Sequence, residues 1–197
     1  MSSCLQKLNC KKVLLLLLFF SIFGLNQAKA QCYRITNTAN VANPTFTHTF
    51  TLTPNVPGTS VTNSHTIRLR TSDTNAWKMT GSRVAITRTS GSGAAADNIL
   101  DTDVNWSATL VGTGPPVGTA SLTGPFIGTT TLNSISTGGG TIIVTGNNRT
   151  AATTSCTNAT ALARYWTLNV TLSTPQDFIF NSGTYIGMIT YTLQNGP

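Results

Sequence analysis

The sequence predicts an all-β protein: a single immunoglobulin-like sandwich of two sheets and about eight to ten strands. Three observations carry that reading. Apolar residues recur at every second position, and no window of a dozen residues shows a 3.6-residue period. After the first thirty residues there is no Glu and only one Lys, against an abundance of Thr, Ser, Asn and Gly. β-branched Thr suits strands, while the usual helix-surface residues are missing. Turn-forming Gly, Pro and Asn separate the alternating runs.

Taken in order, the clearest run is TFTHTFTLT. Phe46, His48, Phe50 and Leu52 face one way, and Thr45, Thr47, Thr49, Thr51 and Thr53 the other. After the turn PNVPGT (54–59), Ile67 and Leu69 alternate with Arg68 and Arg70, which are expected to point outward. Trp77 and Met79, then Val84 and Ile86, form the next inward sets before the break SGSG (90–93). Trp106, Ala108 and Leu110 alternate up to GTGPPVG, and Ile127, Ile135 and Ile142 to Val144 mark further strands around STGGG. The last two strands are strong: Trp166, Leu168, Val170 and Leu172, then, after the turn NSG, Tyr185, Gly187, Ile189, Tyr191 and Leu193. A closed barrel is the alternative arrangement. An outer-membrane barrel is disfavoured because its strands need about 9–11 residues, and most runs here are expected to be shorter.

Residues 1–30 have the three parts of a secretory signal. Lys7, Lys11 and Lys12 are followed by the apolar run Val13 to Gly24, and Ala28-Lys29-Ala30 predicts cleavage before Gln31. The run is about a dozen residues, short of the roughly 20 that a spanning helix needs, so residues 31–197 are expected as one β-sandwich domain with no transmembrane segment. Lys29 and Gln31 before Cys32 do not suit a lipid-attachment site. Four lysines leave with the signal, so the formal charge of +7 falls to +3: eight Lys and Arg against five Asp. The seven arginines are scattered from Arg34 to Arg164, too dilute for a nucleic-acid interface. Cys4 and Cys10 leave as well. Cys32 and Cys156 remain as an even pair in a chain bound for an oxidising compartment, and they are expected to form a disulfide that pins the N-terminal strand.

Acid–base and nucleophilic catalysis need titratable groups held together. The chain offers two His and five Asp. His48, on an apolar face, is expected to be structural, and His65, in TNSHT, to be solvated. No GxSxG, HExxH or phosphate-binding glycine loop is present, so neither enzymatic activity nor a cofactor is expected. Asp101, Asp103 and Asn105 have the 1-3-5 oxygen spacing of a calcium loop, with Asp97 nearby. Trp106 and Gly112 occupy the positions where such a loop has Gly and Glu, and no metal ligand is assigned. Asn-x-Ser/Thr occurs at Asn105, Asn148, Asn158 and Asn169, as chance allows in so Asn- and Thr-rich a chain. Trp77, Trp106 and Trp166 lie within apolar sets and are expected in the core. Tyr33, Tyr165, Tyr185 and Tyr191 can bury a ring while the hydroxyl reaches the rim.

The C-terminal stretch NSGTYIGMITYTL resembles the closing strand of bacterial surface sandwiches. Gly183, Thr184 and Tyr185 are similar to the Gly-Thr-Tyr turn of the WxL cell-wall-binding family, with Tyr191-Thr192-Leu193 in place of its Trp-x-Leu. Upstream, TSDTNAWKM resembles that family's first aromatic motif, with Trp77 and Met79 in place of Trp and Leu. A similar Gly-x-Tyr ending belongs to spore-coat-U-like and pilin-type subunits, which are disulfide-bonded, as the cysteine pair here would suit. The resemblance implies a secreted, non-enzymatic, bacterial cell-surface structural or adhesive protein with an extracellular or periplasmic location. Its partner would be a cell-surface or extracellular molecule, or another copy joined by strand exchange. The alternative is a soluble extracellular carbohydrate- or calcium-dependent binding module.

Overall fold

The computed structural model describes residues 32–36, 43–153, 156, 162–176 and 180–196; the signal-peptide reading of residues 1–30 and the sequon at Asn158 lie outside them. The described chain forms ten strands: β1 (Tyr33–Thr36), β2 (Thr45–Leu52), β3 (Thr62–Thr71), β4 (Trp77–Gly91), β5 (Asn105–Thr113), β6 (Ala120–Leu122), β7 (Thr130–Thr131), β8 (Thr141–Gly146), β9 (Tyr165–Ser173) and β10 (Gly183–Asn195). They divide into two five-stranded antiparallel sheets, one in the order β1-β3-β9-β5-β7 and the other β2-β10-β4-β8-β6. The predicted two-sheet sandwich is therefore what the chain builds. Strand length does not by itself distinguish it from a barrel, because β3, β4, β5, β9 and β10 all reach nine residues or more. The distinction is that each sheet ends in two open edges.

The core lies between the sheets and follows the alternation. Ile67, Leu69, Trp106, Leu168, Val170 and Leu172 come from the first sheet, and Phe50, Leu52, Trp77, Met79, Tyr185, Ile189, Tyr191 and Leu193 from the second. Trp166 is half-buried and packs against this cluster. Two glycines make room for aromatic rings across the strands. Gly187 stands opposite Phe50, and Gly146 opposite Trp77. A Cβ on either glycine would overlap the facing ring, so each ring fills the space that a side chain would take.

Several local expectations change. Val84 and Ile86 do not share a face: Ala85 and Ile86 together oppose Gly187, a β-bulge that turns Val84 out to solvent while Ile86 stays buried. Ile127 is not in a strand. It is exposed in the turn after the buried Phe126. Ile135 is buried, but follows a single 3-10 turn over Leu132–Ser134. Arg70 does lie on the outer face of its sheet, yet it is only 3 % exposed. The chain near Thr150, Cys156 and Leu162 covers it: the Thr150 N–H donates to the Thr71 carbonyl, and Arg70 donates to the Leu162 carbonyl.

Candidate functional site

The two histidines were expected to part company, one structural and one solvated. They instead form one unit. His48 on β2 stacks on His65 of β3, with ring centroids 3.8 Å apart, so the pair bridges the two sheets. His65 is buried, contrary to the solvated reading of TNSHT. β3 begins sooner than that turn-like composition suggests, and its register turns His65 inward with Ile67 and Leu69. The His65 Nε2 lies 2.9 Å from the Tyr191 hydroxyl, and the His48 Nε2 lies 3.0 Å from the Asn63 Oδ1. The His65 Nδ1 is buried without a hydrogen-bond partner. Desolvation, and then the neighbouring His48, lower the His65 pKa from 6.5 to about 3. Burial likewise raises the Tyr191 hydroxyl above its ordinary range. No described hydrogen bond joins either histidine to a carboxylate. His65 therefore persists as a neutral ring, and the unit fastens β2 to the facing sheet.

The calcium-like spacing of Asp101, Asp103 and Asn105 is spent on local structure. Asp101 forms an ion pair with Arg83 and accepts the Ile86 N–H, which supports the bulged part of β4. Asp103 accepts the Leu100 N–H at 2.8 Å and closes the turn that leads into β5. Asn105 is the first residue of that strand. No group of three or more His, Cys, Asp or Glu is placed to hold a metal among the described residues.

Trp77 and Trp106 are fully buried, as their apolar sets require, and neither can serve as a carbohydrate platform. The Tyr33 hydroxyl donates to buried Asp73, and Tyr185 donates to the Asn181 carbonyl at 3.0 Å. Burial, and then the bond to Asp73, push the Tyr33 hydroxyl well above its usual range. A cleft of about 370 Å³ opens between the 54–59 turn and Phe180–Ser182; the described residues that line it include no ionisable side chain.

Cys32 and Cys156 meet as expected, with Cα atoms 6.1 Å apart and the bond joining residues 124 positions apart. It ties the start of β1 to the chain that covers Arg70. No helix among the described residues is long and apolar enough to cross a membrane.

What sequence reasoning could not place is the sheet edges. Three of the four are blunt: β1 has four residues, β6 three and β7 two. The fourth, β2, has eight residues and pairs with β10 along its whole length; among the described residues no strand pairs with its other side. Its outward residues Thr45, Thr47, Thr49 and Thr51 are exposed, and the strand contains no Pro, Lys, Arg, Asp or Glu. Natural sheets usually protect an edge with charge, Pro, a bulge or brevity, because its unpaired N–H and C=O groups template another strand. β2 has none of these protections.

No family model, curated protein or solved structure matches this chain.

Proposed function

We propose that the protein is a secreted, non-enzymatic structural or adhesive subunit of a bacterial cell surface, and that it associates with further copies by strand addition at β2. The observation that carries this reading is the long, uncharged, one-sided edge of β2 beside three short edges. Strand addition derives affinity from main-chain hydrogen bonds and specificity from alternate side chains. The threonine row of β2 supplies a flat surface for such a partner. Export by the N-terminal segment and the cysteine pair agree with an extracellular or periplasmic location. A structural role also agrees with the histidines, which are absorbed into packing.

The test is light scattering during size-exclusion chromatography of the mature protein across a concentration series. Wild type should form oligomers or fibres. Thr49→Lys, which places a charge on the exposed face of the edge strand, should stay monomeric with an unchanged circular dichroism spectrum. A wild type that remains monomeric at high concentration, and is found only in the medium on cell fractionation, contradicts the proposal.

A further inference from the structure

The outer face of the first sheet carries a second feature, independent of the β2 edge. Arg34 of β1 stands directly opposite Arg70 of β3, and Arg68 lies two residues along the same face. Like charges opposed across a strand pair repel, so the arrangement calls for compensation. Tyr165, at the start of β9, supplies part of it. The guanidinium carbons of Arg68 and Arg70 lie 4.9 and 4.7 Å from its ring centroid. The remaining described contacts are all to neutral oxygens. Arg70 donates to the Thr36 Oγ1 at 3.2 Å and the Leu162 carbonyl at 3.1 Å, and Arg34 donates to the Cys156 carbonyl at 3.1 Å.

No described hydrogen bond or ion pair joins any of the three arginines to a carboxylate; the one described salt bridge is Arg83–Asp101. The Nε–H groups of Arg34 and Arg70 are buried and without an acceptor. Arg70 itself is 3 % exposed. A buried guanidinium without a carboxylate beside it is costly unless a nearby anion compensates its charge. Arg34, Arg68 and Tyr165 are half-exposed, which leaves the cluster open to a ligand from solvent.

We propose that Arg34 and Arg68, braced by Tyr165 and backed by the buried charge of Arg70, form a binding site for an oxyanion: a sulfate, phosphate or carboxylate group. The planar guanidinium fork matches two oxygens of such a group at once; stacking on Tyr165 holds the Arg68 fork in place before the ligand arrives, and Arg70 adds its positive charge from beneath. The same chemistry is offered by a free inorganic anion and by an acidic group borne on a surface polymer.

Isothermal titration of the mature protein tests this with two probes, inorganic sulfate and dextran sulfate, at fixed ionic strength. Two variants of equal net charge are compared: Arg68→Gln in the cluster, and Arg88→Gln on β4 of the other sheet, where Arg88 donates only to the Gly93 carbonyl. Arg68 makes no described hydrogen bond and is half-exposed, so its loss leaves the fold intact, which circular dichroism verifies. At least one probe should bind wild type and Arg88→Gln alike, and bind Arg68→Gln about tenfold or more weakly. Sulfate binding would mark a site for the free anion, and binding of dextran sulfate alone a site for a polymer-borne group. Equal weakening in both variants, or no weakening in Arg68→Gln, would reduce the effect to general charge attraction and overturn the proposal. So would the absence of heat with both probes.

Discussion

Strands β1 and β2 are consecutive in the chain, and each forms the outer edge of its sheet, yet they are secured by opposite means. β1 is four residues long, carries Arg34, is bridged to Asn43 beyond its edge, and is tied by a disulfide from the residue just before it. β2 is eight residues long, uncharged, and held by β10 on one side and by the His48–His65 stack beneath. The first edge is closed to a further strand and the second is open to one. An edge that only evaded aggregation would be expected to look like β1. The contrast is what supports β2 as the proposed assembly surface.

Removing the covalent tie should separate the two edges most strongly. Cys32→Ser with Cys156→Ser should lower unfolding free energy by about 4 to 5 kcal/mol, given the loop the bond closes. Hydrogen exchange should then quicken in β1 while the β2–β10 ladder keeps its protection. Equal loss at both edges would show that β2 depends on the same tie.

Acid acts on the other fastening. The pKa of His65 is lowered in the folded protein, so the unfolded chain binds a proton that the folded one refuses. Stability is thus complete above pH 6.5 and declines as the pH falls toward about 3, by at most about 1.4 kcal/mol per pH unit. Chemical denaturation at a series of pH values measures this, and His65→Gln should flatten the slope. At alkaline pH the sign reverses: buried Tyr191, with its pKa raised, withholds a proton that the unfolded chain gives up, so stability is lost as pH rises beyond 10.

A smaller effect is expected at the seam under β2. Gly187→Ala would drive a methyl into the Phe50 ring and should cost about 1 to 3 kcal/mol, with β2 amides exchanging faster than those of β1. Smallest of all, Thr49→Lys should alter monomer stability by no more than about 0.5 kcal/mol, because Thr49 is exposed, while it should abolish the proposed association.

The strands and core were legible because period-2 alternation maps directly onto sheet faces: the sets at Phe50 and Leu52, Trp166 to Leu172, and Tyr185 to Leu193 all point inward. Alternation says nothing about bulges, so Val84 was placed on the wrong face. It also cannot foresee a covering segment, so Arg70 is legible as outward but not as buried. His65 was misread because its sequence neighbours are polar, whereas its environment is set by β2 and β10 across the sandwich. The pattern Arg68-x-Arg70 was visible as two residues on one face, but its junction with Arg34 depends on a pairing 34 to 36 positions distant in sequence. The open edge of β2 was illegible for the same reason. Being an edge is a property of the sheet order, and no local feature of TFTHTFTL encodes it.

Hydrogen–deuterium exchange of the mature protein, compared between dilute monomer and concentrated or assembled samples, tests the role of the β2 edge most directly. Strand addition there should protect the outward amides of β2, from Thr45 to Leu52, while β1, β6 and β7 keep their exchange rates. Assembly that leaves β2 unchanged and protects another edge, or no assembly at any concentration, would contradict it.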